Sequence, residues 1–127
     1  MSGIRTLIVD DSSVMRKIVE RSLRQAGLDL VTVHEAGSGT EGLDVLRNKE
    51  VDLILSDINM PSMDGLEFLR QLRALNLAPG IPVVMITTES SEEHVKQAIL
   101  AGAQGYIRKP FTAEQVKERV LPLIHAA

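Results

Sequence analysis

Five short apolar runs recur along the chain at near-regular intervals, and they constrain the fold more than any other feature. They are TLIV at 6–9, LVTV at 30–33, VDLIL at 51–55, PVVMI at 82–86 and GYI at 105–107. Rich in Val and Ile and mostly without polar alternation, they carry the signature of strands covered on both faces, as in a parallel sheet. The segments between them have helical period. Ser12 or Ser13 can cap a helix whose Val14, Ile18, Val19, Leu23 and Ala26 form one stripe, closed by Gly27. A shorter helix fits 40–47, with Leu43 and Leu46 inward, and Asp64 can cap a third that carries Leu66, Leu69 and Leu72. Ser90 with Glu93, and Thr112 with Gln115, form capping boxes for two more. The first of these leads to Val95, Ala98 and Ile99, the second to Val116 and Val120. Pro122, late in the last helix, predicts a kink or an end, because it removes a backbone donor and crowds the preceding turn. The alternation is βα five times, which predicts an α/β sandwich with right-handed crossovers.

Composition narrows the class of function. The 127 residues fit one domain, expected to span 1–127. With 14 basic and 17 acidic residues the net charge is −3, which gives no electrostatic case for nucleic-acid binding. The absence of cysteine excludes disulfides, thiolate chemistry and Cys-based zinc sites. The N-terminal segment meets acids after a short apolar run, unlike a signal peptide. No apolar stretch approaches the ~18–20 residues that span a bilayer. The expectation is a soluble cytoplasmic domain with no membrane insertion.

In a parallel sheet all strand C-termini lie on one edge, and ligands bind there beside the point where strand order reverses. At the ends of the expected strands stand Asp10 and Asp11, Asp57, Thr87 with Thr88, and Lys109. Taken singly, each has an ordinary reading. Asp10 and Asp11 can cap a helix, Asp57 with Asn59 can make an Asx turn, Thr87 is a routine strand residue and Lys109 a solvated one. Taken together they place three carboxylates, a hydroxyl and an ammonium on one edge. Two like charges ~4 Å apart at an effective dielectric of ~20 cost about 4 kcal/mol, so the cluster calls for compensation. Lys109 supplies part of it. A hard divalent cation supplies the rest, and an all-oxygen ligand set favours Mg²⁺ or Mn²⁺ over zinc. A carboxylate nucleophile, a metal, a hydroxyl and a lysine are parts for phosphoryl transfer.

The same stretches carry a resemblance. VDD at 9–11, SDINMPSMDG at 56–65, ITTE at 86–89 and YIRKPF at 106–111 resemble the receiver domain of two-component response regulators, and among them the single-domain chemotaxis type. The resemblance covers essentially the whole chain, with four motifs in the right order at strand ends. It implies a flavodoxin-like (βα)5 three-layer sandwich with strand order 2-1-3-4-5. Asp57 would be the phosphoacceptor, taking its phosphoryl group from a histidine kinase or phosphotransfer protein. Asp10, Asp11, Asp57 and the backbone carbonyl of Asn59 would hold Mg²⁺. Thr87 would bond the phosphoryl oxygens and Lys109 would pair with them, and the Lys109–Pro110 bond would be cis. Thr87 and Tyr106 would form the switch. Glu89, His94, Val95, Tyr106 and Arg108, on the surface of helix four, strand five and helix five, would be read by a downstream target bound non-covalently. The chain would be a monomer or weak dimer, and not a turnover enzyme.

The alternatives are a phosphate shuttle or sink, a constitutive binding module, and a Mg²⁺-dependent aspartyl-phosphate phosphatase. The phosphatase needs an acid two residues after the nucleophile, where this chain has Asn59. Because the chain ends at Ala127 with no linker, output through binding, or trimming from a longer protein, is expected. Ser12 stands where the chemotaxis type carries an aromatic, and Ser91 and Glu92 stand where it carries lysines, so the partner surface is more acidic. His34, His94 and His125 are dispersed and read as surface residues, Met60 and Met63 as packing. Asp64–Gly65 reads as turn and cap, and GSGTEG at 37–42 as a flexible connection.

Overall fold

Each of the five β-branched runs forms a strand. The computed structural model describes residues 3–60, 63–87 and 92–125. The strands are β1 (Ile4–Val9), β2 (Leu30–Ala36), β3 (Leu53–Asp57), β4 (Val83–Thr87) and β5 (Gly105–Arg108). They alternate with α1 (Ser13–Gln25), α2 (Gly39–Asn48), α3 (Gly65–Ala74), α4 (Glu92–Leu100) and α5 (Ala113–His125). All neighbouring strands pair in parallel, in the order β2-β1-β3-β4-β5. The chain goes outward from β1 to β2 and then returns past β1 to β3. Strand order therefore reverses between β1 and β3, and a crevice forms at their C-terminal ends.

Period-two geometry divides the strand residues between two cores. Leu53, Leu55, Val84 and Ile86 pack with Val19 and Leu23 of α1 and Val116 and Val120 of α5. Ile54, Val83 and Met85 pack on the other face with Leu43 of α2, Phe68, Leu69 and Leu72 of α3, and Ala98 of α4. β3 and β4 are buried along their whole length, as strands covered on both sides must be. β2 lies at the edge and has an exposed Val31, so its polar end, His34 and Glu35, could not be told from a loop by hydrophobicity.

The caps follow local chemistry. Ser12, Ser38 and Asp64 each accept a backbone N–H from the first turn of their helix. Thr112 and Gln115 bond reciprocally at the start of α5. Ser90 lies outside the described residues. Three packing expectations need correction. Val14 and Ile18 are exposed at 69% and 42%, because the inward stripe of α1 is Val19 and Leu23 with a partly buried Met15, continued by Ala26 at the C-cap. Ile99 is likewise exposed, whereas Ala98, expected inward beside it, is buried. The 37–42 segment is not a loose connection: Ser38 caps α2, and Gly39 and Gly42 are buried against Met63 and Phe68. Helix α5 runs through Pro122 to His125, and the carbonyl four residues earlier belongs to exposed Glu118, where water can serve it. No helix among the described residues is long and apolar enough to cross a membrane.

Candidate functional site

β3 delivers Asp57 as its last residue, 5% exposed, and β1 delivers Asp10 just beyond its end, 2% exposed. Asp11 follows on the exposed turn into α1. The carboxylates of Asp10, Asp11 and Asp57 each offer an oxygen within 4.8 Å of the others. Lys109, directly after β5, places its Nζ 3.5 Å from Asp10 Oδ2 and 3.5 Å from Asp57 Oδ2. Thr87 ends β4 at 1% exposure, and its carbonyl accepts the Lys109 backbone N–H at 2.7 Å. That bond ties the ends of β4 and β5 together and fixes where the lysine starts. The Lys109–Pro110 bond is cis.

Backbone donors hold the two buried acids in place. The Ser12 N–H donates to Asp10 Oδ1 at 2.9 Å, and the Asn59 N–H donates to Asp57 Oδ1 at 3.2 Å. Burial pushes the Asp57 carboxyl above the ordinary carboxylate range; Lys109 pulls it back, and the charge of Asp10 adds to the rise. Asp10 Oδ2 is buried with no hydrogen-bond partner, only the ammonium at 3.5 Å. Three carboxylates face one lysine, so the pocket has an uncompensated charge of about two and an orphaned acceptor pointing into it. A hard divalent cation fits that set. Its donors are all oxygens, they converge, and one of them is unsatisfied.

The turn after Asp57 depends on Gly65, which in sequence reads as only turn and cap. The Gly65 N–H donates to the Ile58 carbonyl at 2.8 Å, so α3 begins directly beneath the end of β3. A Cβ at Gly65 would collide with the Asp57 carbonyl oxygen and come within 2.8 Å of Ile58 Cα. The signal was a glycine placed just inside a capped helix, where good helix formers are the rule.

Of the expected switch and partner residues, Tyr106 is half-buried on β5 and its ring lies 5.1 Å from the Arg119 guanidinium carbon. Arg108 is exposed beside it, and both line a groove with Gln115 and Glu118 of α5. Glu89 falls outside the described residues. His94 and Val95 lie in α4.

Comparison with known proteins agrees with this geometry. Residues 6–121 match the family model of the response regulator receiver domain. Chemotaxis protein CheY-3 of Vibrio cholerae is 41% identical over 118 residues, 93% of this chain and 89% of that protein. The solved structure of the chemotaxis response regulator CheY4 of Vibrio cholerae superposes with a TM-score of 0.83 at 34% identity, covering 96% of this chain and 99% of that one. The receiver domain of the putative response regulator NarL from Mycobacterium tuberculosis gives 0.85 at 28% identity, with both chains covered completely. A reversed strand order, an acidic crevice where it reverses, a lysine reaching into that crevice and a match over most of the length have one common explanation: the chain belongs to the response regulator receiver domain family.

Proposed function

We propose that the chain is a phosphorylation-controlled signalling switch in a two-component relay of the chemotaxis type, with Asp57 as phosphoacceptor. The observation that carries this reading is the placement of Asp57: a buried strand-end carboxylate beside two further acids and 3.5 Å from Lys109. A carboxylate oxygen of Asp57 attacks the phosphorus of a phosphohistidine. The P–N bond breaks as the new P–O bond forms, and the departing imidazole nitrogen takes a proton. Asp10, Asp11, Asp57 and the Asn59 carbonyl would hold Mg²⁺, which supplies charge neutralisation for the carboxylates and the phosphoryl oxygens. Lys109 stays within reach of the new phosphoryl oxygens as it is of Asp57 now. Asn59 carries an amide and no titratable group, so that position supplies no general acid or base of the kind a turnover phosphatase uses.

The modification adds roughly −1.5 to −2 charge and three acceptors next to the end of β4. Thr87 donates its hydroxyl to them, and Tyr106 follows into the space on its outer side. The face of α4, β5 and α5 changes with it, and a target protein reads that face. The 41% identity to a chemotaxis protein favours that pathway. The equally good superposition on a receiver of another regulator favours, as a second reading, a stand-alone receiver or phosphate sink outside chemotaxis.

The test is incubation with a small phosphoramidate donor and Mg²⁺, followed by intact-mass measurement. The expected result is a gain of one phosphoryl group that vanishes in Asp57→Asn. Modification that survives the substitution overturns the assignment.

A further inference from the structure

We propose that Arg16 is a positioning residue for the acidic turn: it grips the main-chain carbonyl of Asp10, is itself held by Glu35, and so presents Asp10 and Asp11 to the pocket. The inference rests on reading that pocket as a metal and phosphoryl site. The chain leaves the sheet at Asp10. Its N–H still donates to the Ala36 carbonyl of β2 at 3.0 Å, but its carbonyl must find a partner outside the ladder. Arg16 Nη1 supplies it at 2.6 Å. The donor comes from the first turns of α1, so the helix reaches back over its own entry loop. Arg16 Nε donates to Glu35 Oε1 at 2.9 Å, and Lys17 Nζ donates to Glu35 Oε2 at 2.8 Å. Only 17% of the Arg16 side chain is exposed.

Glu35 is an ionised partner. The hydrogen bonds from Lys17 and then Arg16 hold its carboxyl below the usual range. A guanidinium can serve two acceptors in fixed directions at once, whereas an ammonium of the same charge cannot hold that fork. The carbonyl of Asp10 and the tip of β2 are therefore locked to one planar group. The Ser12 N–H holds the Asp10 side chain within the same turn. Asp11 is exposed and accepts no backbone N–H among the described residues, so it depends on this turn for its direction.

The test uses the full chain with Mn²⁺ as probe. Affinity is read from the electron paramagnetic resonance signal of free Mn²⁺, local order from metal-free amide exchange at Asp11, Ser12 and Ser13, and global stability from metal-free melting. Arg16→Lys is expected to weaken Mn²⁺ about tenfold, as loss of an outer-shell partner does, and to speed exchange at those amides while the melting temperature moves by a few degrees. Glu35→Gln should act in the same direction and more weakly. The double variant should be no worse than Arg16→Lys, because the two residues act as one unit. A folded Arg16→Lys protein with unchanged affinity and exchange overturns the proposal. So does a loss confined to global unfolding with Glu35→Gln unaffected. If the native chain binds Mn²⁺ no better than Asp11→Asn does, the metal reading fails, and amide exchange alone then decides the role of Arg16.

Discussion

At the N-terminal rim of the sheet Arg5 meets Asp52 through three hydrogen bonds, from its backbone N–H at 2.9 Å and from Nε and Nη2 at 3.0 Å each, and Glu50 through a fourth at 3.0 Å. At the C-terminal rim Asp10 and Asp57 share one lysine at 3.5 Å, and Asp10 Oδ2 is left with no hydrogen bond. The first rim drives the Asp52 carboxyl below its ordinary range, chiefly through the Arg5 hydrogen bond; the second drives the Asp57 carboxyl above it, chiefly through burial. The same strands thus end in a satisfied charge cluster at one side and a frustrated one at the other. Frustration at a strand end is what a site needs if an incoming cation or phosphoryl group is to change its energy.

The sharpest way to break this comparison is at Gly65. Gly65→Ala drives a methyl group into the backbone of the Asp57 turn, and a loss of about 3 kcal/mol or more, or failure to fold, is expected in urea unfolding. A well-tolerated alanine would mean that the C-terminal rim is soft rather than strained.

Next come the two acids. Asp57→Asn removes a buried charge and its repulsion with Asp10, so it should stabilise the metal-free protein by about 1–2 kcal/mol. Asp52→Asn should destabilise it by less than about 1 kcal/mol, because that pair is shared with solvent. Their pH dependence separates them. The carboxyl of Asp57 is raised in the fold, so its penalty is complete above the raised value and fades as pH falls toward the ordinary value of 3.8. The benefit of Asp57→Asn should shrink over that window. The carboxyl of Asp52 is lowered, so its contribution survives through that window and is lost only as pH falls below the ordinary value. Thermal melts of both variants from neutral pH downward check both signs; parallel curves would erase the contrast between the rims.

The smallest effect lies where the N-terminal rim departs from its own pattern. Ala78, in the loop between α3 and β4, has φ +47, a left-handed conformation that a Cβ disfavours. Ala78→Gly should gain about 0.5–1 kcal/mol in denaturant unfolding. No gain would mean that the loop is not strained.

The alternation of strands and helices was legible because doubly covered strands appear as unbroken apolar runs. The gathering of Asp10, Asp57, Thr87 and Lys109 at one edge follows from that alternation, since parallel strands must all end on one side. The five apolar residues on α1 allow two overlapping stripes, one of them through Val14 and Ile18, and only packing against α5 and the sheet selects between them. Gly65 carries no distinct signal, because a Gly after a capping Asp also makes an ordinary turn; its close approach to Asp57 is a tertiary fact. Arg16 gave no signal at all, since an arginine on a helix is usually a solvated charge. Its partners, a backbone carbonyl and a residue of β2, have no pattern in sequence.

Tyr106 is the single tyrosine of a chain that has no tryptophan, and it sits under the Arg119 guanidinium. Intrinsic ultraviolet emission from this protein therefore originates, in effect, from one ring on the strand that also leads to Lys109. Spectroscopy without any added label watches that one location, and any change in how the cation covers the ring becomes an optical readout of the edge strand.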